Sequence, residues 1–277
     1  IGYGSVKKKD ATGAVDQLNS KKFDNVAATS PADVLRGKVA GVQITSASGE
    51  PGAATAIRVR GNTSLRSGNG PLIVVDGVPL DGGDSSAGGA DSGLGSSSAK
   101  SPLNFINQND IESMSVLKDA SSTAIYGARG ANGVIIITTK KSKSKQPQLN
   151  LSTSVGISTY SSKFDVMSKE QYVATPGSLN KGGSYNWKDA ILQTGVTRNY
   201  DLSYATGTDN SSTRISFGAN NTEGIVKNTG MDKYTLSISN STDFFDGTLK
   251  IEPKILYSAI KDNTTLLSDK AGYIGNV

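Results

Sequence analysis

The chemistry open to this sequence is that of its carboxylates, because its 277 residues include neither cysteine nor histidine. Their absence excludes a Ser-His-Asp or Cys-His nucleophile, an HExxH zinc site, a thiolate metal site and a disulfide. A pair of carboxylates is enough for glycoside hydrolysis, so this one enzymatic function stays open.

The aspartates near the glycine-rich part of the chain have a plainer interpretation than catalysis. Asp76-Gly77 follows the apolar run Leu72–Val75 and is typical of a hairpin turn that needs positive φ. The stretch Leu80–Lys100 is too polar to form a core and contains three more aspartates: Asp81, Asp84 and Asp91. Their spacing matches no EF-hand loop, so we interpret the stretch as an exposed, ligand-contacting loop. We predict no catalytic residue, no metal site and no cofactor.

Two patterns that suggest nucleotide or nucleic-acid binding fail in detail. The glycines Gly127, Gly130 and Gly133 miss the GxGxxG spacing and follow a predicted helix, and no Lys-Ser/Thr follows the glycine-rich loop. The basic runs Lys7–Lys9 and Lys140–Lys145 lie among Ser, Asp and Gln without interleaved aromatic residues. The net charge of +5 therefore indicates solvated connectors and no nucleic-acid partner.

The elements that position these residues are predicted from periodicity and capping. Short helices are expected to begin at Ser30, Ser101 and Asp119, the first two through a Ser-Pro start. Five strands are predicted around them: Val42–Thr45, Ala56–Arg60, Leu72–Val75, Ser113–Leu117 and Val134–Thr138. Buried and half-buried strands mixed with small helices indicate an α+β domain, which we place at residues 10–141.

A different pattern follows a linker at residues 142–147. Five stretches alternate apolar and polar residues, with apolar positions starting at Leu149, Tyr200, Thr213, Tyr234 and Leu249. Stretches of about 9–11 residues, aromatic residues near their ends, and alternating long and short connections are typical of an outer-membrane barrel. A soluble antiparallel sheet with one wet face would show the same alternation. Since the smallest barrels have about eight strands, we predict that residues 148–277 form part of an incomplete transmembrane β-barrel.

Two long segments resemble the plug domain of SusC/RagA-like TonB-dependent outer-membrane receptors. They are AIRVRGNTSLRSGNGPLIVVDGVPL (Ala56–Leu80) and IESMSVLKDASSTAIYGARGANGVIIITTKK (Ile111–Lys141). Residues 1–9 look like the segment that follows the TonB box in this family, and residues 199–239 resemble its first barrel hairpins. The resemblance implies a plug seated in a barrel of roughly 22 strands, so we expect the TonB box before Ile1 and more strands after Val277.

The resemblance also implies a function. Receptors of this family lie in the bacterial outer membrane and import nutrients too large for porins, commonly oligosaccharides and in some members peptides. A SusD-like surface lipoprotein caps the barrel, and the TonB complex of the inner membrane pulls on the N-terminal box to shift the plug. We therefore expect an importer component and not an enzyme.

Three arginines match plug residues of this family that tend to face barrel carboxylates: Arg58, Arg60 and Arg129. A buried guanidinium needs a paired carboxylate, although Arg58 and Arg60 would also fit a solvent-exposed strand face. Substrate contacts are expected from the loops around residues 62–69 and 81–98 and from the sole tryptophan: Asn62, Arg66, Asp81, Asp84, Asp91 and Trp187. Trp187 would either stack on a sugar ring or pack its own loop.

Other functions remain open from the sequence. A glycan-binding or adhesion module without transport would show the same domains, and a glycosidase would need two acids in one cleft. An importer of peptides or iron chelates is a further alternative within the same family.

Overall fold

The computed structural model describes residues 15–20, 30–46, 48–61, 70–80, 100–119, 123–142, 145–161, 167–176 and 187–264. Within these ranges, the N-terminal domain has one α-helix, α1 (Pro31–Leu35), and three 3-10 segments, Pro102–Phe105, Gln108–Asp110 and Ala124–Gly130. Its strands are β1 (Val15–Asn19), β2 (Val42–Ser46), β3 (Thr55–Val59), β4 (Leu72–Val75), β5 (Val78–Pro79), β6 (Ile111–Leu117) and β7 (Val134–Thr139).

A five-stranded mixed sheet organises the N-terminal domain. Its strand order is β1-β6-β7-β4-β5, in which β4 and β7 run parallel and the other neighbours are antiparallel. Strands β2 and β3 form a separate ribbon. The apolar runs of β4 and β7 lie in the centre of the sheet, where both faces are covered. The core therefore lies between this sheet, the ribbon and the short helices.

The turn between β4 and β5 has the predicted geometry. Val75 and Val78 are paired across it, and Asp76 and Gly77 have φ of 48° and 89°. Positive φ at both central residues matches the twist of the flanking strands, and glycine tolerates it without a Cβ clash.

The C-terminal part is a six-stranded antiparallel sheet. Its strands are β8 (Gln148–Ser158), β9 (Gly195–Gly207), β10 (Ser211–Glu223), β11 (Gly230–Phe244), β12 (Leu249–Ile251) and β13 (Lys254–Asn263). Two short helices, α2 (Lys169–Ala174) and α3 (Trp187–Ile191), lie in the connection between β8 and β9. The predicted alternation is confirmed: apolar side chains of β8 to β13 lie exposed on one face, and the other face is mainly polar, with Met231 and Leu256 as apolar exceptions that meet the N-terminal domain.

Three details differ from the predictions. Strand β1 was not predicted, and the segments expected as helices at Ser101 and Asp119 are 3-10 in the parts described, Pro102–Phe105 and Ala124–Gly130. The last predicted strand is interrupted between β12 and β13 at Pro253, which has no N–H to donate. The carbonyl of Pro253 accepts the Asn240 N–H at 3.1 Å, and the register with β11 continues on both sides of the break.

No helix in the described part of the chain is long and apolar enough to cross a membrane.

Truncation of a core residue tests the assignment of the central strands. Ile135 in β7 is fully buried, whereas Val78 in β5 is exposed. We expect Ile135→Ala to lower the free energy of unfolding of the N-terminal domain by about 2–5 kcal/mol, because it leaves a cavity. Val78→Ala is the matched control and should change it by less than about 0.5 kcal/mol. Urea unfolding followed by circular dichroism measures both, and equal effects would contradict the assignment.

Candidate docking site between the N-terminal domain and the C-terminal sheet

A polar contact between the two parts of the chain is made by a short turn at residues 107–110, which we call the docking turn. The Asn107 side chain accepts the Asn109 N–H at 2.9 Å and so caps the 3-10 segment Gln108–Asp110. The cap fixes the backbone immediately before β6. As a result, Asn107, Asn109 and Asp110 all reach the polar face of the C-terminal sheet.

A buried ion pair lies at the end of the docking turn. The Asp110 carboxylate is 3.0 Å from Nη2 of Arg214 in β10, and the two side chains are 7% and 11% exposed. The Ser216 hydroxyl donates to the same carboxylate at 2.7 Å. Burial raises the pKa of Asp110 above its ordinary value, although Arg214 and Ser216 act in the opposite direction. Desolvation is therefore the largest effect on this carboxylate, so the pair positions the turn more than it stabilises it.

A second carboxylate receives the two asparagines of the turn. The side-chain amides of Asn107 and Asn109 both donate to Asp201 in β9. Gly218 of β10 is the cross-strand neighbour of Asp201, and a Cβ at this position would lie 2.2 Å from Asn107 Nδ2. A side chain here would displace the asparagine, so glycine permits the close approach. The same face buries Lys233 of β11.

A third contact joins the C-terminal end of the N-terminal domain to the C-terminal sheet. The Asp76 carboxylate accepts the Thr139 N–H at 2.9 Å and the Thr139 hydroxyl at 3.0 Å, at the end of β7. The ammonium of Lys254 in β13 contacts both Asp76 and Thr139. Nearby, the Lys141 ammonium and the Glu252 carboxylate are 2.8 Å apart. The hairpin aspartate therefore has a structural function at this end of the domain.

A fourth contact lies at the opposite end of the sheet. Buried Lys100 donates to the Pro51 carbonyl at 3.1 Å, and its ammonium is 3.9 Å from Asp262 of β13. Beside it, the Asn104 amide donates to the Gly52 carbonyl at 2.7 Å. Together with the docking turn and the Asp76 contact, this cluster holds the N-terminal domain along the length of β13 and its neighbours. Within the described residues, no three acidic side chains are grouped so that they could hold a metal ion.

The three arginines predicted to face barrel carboxylates lie elsewhere in the N-terminal domain. Arg60 follows β3 with φ of 61°, and its exposed guanidinium pairs with Asp119 of the same domain. Arg58 is half-buried between the buried residues Ile57 and Val59, and Arg129 is exposed. Among the described residues, none of the three pairs with a carboxylate of the C-terminal sheet. Their pairing with other barrel strands stays a prediction.

The predicted substrate contacts fall largely outside the described residues. Asn62, Arg66, Asp81, Asp84 and Asp91 all lie there. The backbone of Trp187 starts helix α3, in the connection between β8 and β9. These assignments also stay predictions.

Sequence reasoning missed the docking turn and its partners. One signal was present: Arg214 and Asp201 are charged residues on strand faces that otherwise carry Ser, Gly and Asn. A charge facing inward from such a strand needs a partner. Nothing local identifies that partner as Asp110, because the two residues are more than a hundred positions apart.

Comparison with known proteins identifies the domain architecture. Residues 7–134 match the TonB-dependent receptor plug domain. The chain is 38% identical over 260 residues to the TonB-dependent receptor SusC of Bacteroides thetaiotaomicron, covering 90% of this chain and 25% of that protein. It is 36% identical over 242 residues to the TonB-dependent receptor P3 of Formosa agariphila, covering 85% of this chain and 22% of that protein. The chain thus spans about a quarter of the length of these relatives.

A solved structure shows the same arrangement of both parts. The RagAB peptide importer in its open-open state aligns with a TM-score of 0.76 and 25% identity, covering 95% of this chain and 32% of that one. The predicted fold class, a mixed α and β plug followed by antiparallel strands of a barrel receptor, is confirmed.

The raised pKa of Asp110 gives a prediction of pH dependence. The folded protein binds the Asp110 proton more tightly than the unfolded chain does, so the stability contributed by this group falls as pH rises from 3.8 through the raised pKa. We expect the difference in free energy of unfolding between wild type and Asp110→Asn to move in favour of the variant over that range. The ion pair with Arg214 forms only with the ionised carboxylate, and its effect is already contained in the net raised pKa of Asp110, so it does not change the sign of the slope. Urea unfolding at several pH values measures the slope, and a slope of opposite sign would overturn the assignment.

Proposed function

This chain carries the plug domain of a TonB-dependent receptor, followed by strands homologous to those of SusC-like outer-membrane receptors, and from that premise we propose that it is the gating part of a nutrient importer. The similarity to SusC-like receptors supports a location in the bacterial outer membrane and a function in transport and not in catalysis. One observation carries the proposal: the C-terminal sheet exposes an apolar face on one side and binds the plug through polar contacts on the other. This is the arrangement that a plugged barrel in lipid needs.

The gating step would separate the docking turn from the C-terminal sheet. We propose that TonB pulls on the chain before β1, which is an edge strand paired only with β6 in the described sheet. The ion pair between Asp16 and Lys118 lies near the N-terminal end of β1, where the force would act first. The polar partners of the docking turn can exchange their contacts for water, which favours displacement of the plug.

The proposed cargo is an oligosaccharide, and the proposed surface partner is a SusD-like lipoprotein. The SusC-like match over 90% of the chain supports both proposals. A peptide cargo is the second candidate, because the structural match with a TM-score of 0.76 is a peptide importer. We propose that either cargo would contact the residues predicted from the sequence: Asn62, Arg66, Asp81, Asp84, Asp91 and Trp187.

Uptake by cells that express the complete receptor and its lipoprotein tests the function. We expect a labelled oligosaccharide panel to enter and a peptide panel of similar mass to be excluded, and we expect entry to stop when TonB is deleted. Cells without the receptor are the control. Entry of peptides alone would replace the proposed cargo with the second candidate, and entry without TonB would contradict the proposed energy source.

A reversible cross-link tests the gating step. The Gly218 Cβ position lies 2.2 Å from Asn107 Nδ2, an atom two bonds from the Asn107 Cβ, so the two Cβ atoms are within disulfide range. We expect the double variant Asn107→Cys/Gly218→Cys to bind substrate but to lose uptake when oxidised, and to regain uptake on reduction. The reduced double variant is the control for the substitutions themselves, and Asn107→Cys alone is the control for oxidation. Undiminished uptake by the oxidised, cross-linked receptor would show that the docking turn stays in place during transport.

A further inference from the structure

The outward face of the C-terminal sheet, which points away from the plug, is arranged in rows by its antiparallel register. Tyr200 and Tyr234 lie on either side of Ala219 and form one row, and both tyrosines are exposed. The next row towards the connections at residues 159–194 and 224–229 is made of cross-strand neighbours from β9, β10, β11 and β13. We call it the outer polar row: Arg198, Asn221, Asp232 and Lys261.

The position of this row relative to lipid follows from strand geometry. Phe244 lies ten residues after Tyr234 on the same face of β11. At about 3.4 Å per residue this is about 34 Å along the strand, which a tilt of about 40° reduces to roughly 26 Å. That height is close to the apolar band of about 25 Å between the two aromatic girdles of a barrel. The outer polar row therefore lies just beyond one edge of the band.

The polar residues inside the band form hydrogen bonds with one another. The Asn240 amide donates to the Thr213 hydroxyl at 2.8 Å, and the Thr242 hydroxyl donates to the Asn240 carbonyl oxygen at 2.8 Å. Strands β9 to β11 are described throughout, and between the tyrosine row and Phe244 they place no charged residue on this face. Charge on the outward face is thus confined to one end of the sheet.

That end is the outer surface of the membrane. Its connections, residues 159–194 and 224–229, are longer than those at the other end, residues 208–210 and 245–248. In outer-membrane barrels the longer loops are extracellular and the short turns are periplasmic. The outer polar row is therefore level with the headgroups of the outer leaflet.

Hydrogen bonds in and beside the outer polar row engage its acidic residues and leave some N–H groups of Arg198 and Lys261 unused. Arg198 Nη1 donates to Glu223 at 2.8 Å and to Asn221 at 2.9 Å, which orients the guanidinium. The Asn221 amide donates in turn to Asp232. Nη2 and Nε of Arg198 make no hydrogen bond to the part of the chain that the structure describes, and neither does the exposed ammonium of Lys261. Both cations therefore keep N–H groups for a ligand with strong acceptor oxygens.

We propose that the outer polar row binds the phosphorylated headgroup of an outer-leaflet lipid, with Arg198 and Lys261 donating to its phosphate oxygens. Tyr200 and Tyr234 lie directly below the headgroup, at the boundary of its acyl chains. The charges of Arg198, Lys261, Glu223 and Asp232 sum to zero, so the row does not attract anions in general. It selects a phosphate that acyl chains already hold at this height, and free phosphate is not retained. This inference rests on the proposed function only in requiring that the sheet stands in the outer membrane.

The test uses the complete receptor, purified and reconstituted into nanodiscs of a phosphate-free glycolipid, digalactosyldiacylglycerol, with a small fraction of lipid A bisphosphate. Lipid A retained per receptor after washing is counted by native mass spectrometry. We expect the double variant Arg198→Gln/Lys261→Gln to retain roughly tenfold less than wild type or lower still, because both cationic donors to the phosphate are removed. The matched control is Lys145→Gln/Lys250→Gln, which removes two exposed charges at the short-turn end of the sheet and should retain lipid A as wild type does. Heat-modifiable mobility on gels confirms that each barrel is folded.

Two further arms separate the sources of phosphate. Dephosphorylated lipid A should be lost from wild type, and an excess of inorganic phosphate should not displace the intact lipid. Equal retention by wild type and the Arg198→Gln/Lys261→Gln variant would overturn the proposal, as would retention of the dephosphorylated lipid or displacement by free phosphate. Nutrient uptake by the same variants is expected to persist. In the wild-type receptor, failure to retain lipid A with uptake intact would remove this inference alone, whereas retention of lipid A without any uptake would remove the proposed function alone.

Discussion

The strict alternation of side chains along the C-terminal strands is the constraint on which the rest of the structure depends. Because successive residues point to opposite faces, a slip of one residue would exchange the two faces completely. Leu202 and Phe217 would then meet the plug, and Asp201 and Gly218 would face lipid. The docking contacts therefore also secure the register: the turn at residues 107–110 fits only where Gly218 and Asp201 are neighbours.

The Asp110–Arg214 pair shows what kind of contact this is. Desolvation dominates the pKa of Asp110, so the pair returns little net stability for the burial of two charges. Removing either partner would still leave the other charged and buried, which is costly. An interface of this type determines position and is weak in free energy. These are the properties needed by a plug that must seat in one orientation and yet be withdrawn.

Local pattern was enough to predict most of the fold. The apolar runs Leu72–Val75 and Val134–Thr138, the Asp76-Gly77 turn and the alternating strands all follow from short-range rules and are present in the structure. Strand β1 and the docking turn were not predicted, since their formation depends on distant partners. Asp76 illustrates the limit: its turn could be predicted from its neighbours, but its contact with Lys254 joins residues 178 positions apart.

The two faces of the sheet also differ in what their separation from a partner would cost. On the inner face the docking contacts are hydrogen bonds and ion pairs, beside the apolar Met231 and Leu256. Water replaces each hydrogen-bond partner at a net cost of about 0.5–1.5 kcal/mol. On the outer face, moving an exposed Leu, Ile, Phe or Tyr side chain from an apolar environment into water would cost roughly 1.5–3 kcal/mol of transfer free energy for each residue. A force applied to the N-terminus therefore meets the weaker resistance at the plug. In the proposed gating step the C-terminal sheet would stay in the membrane while the plug is displaced, because alternation assigns most polar residues to one face and the apolar residues to the other.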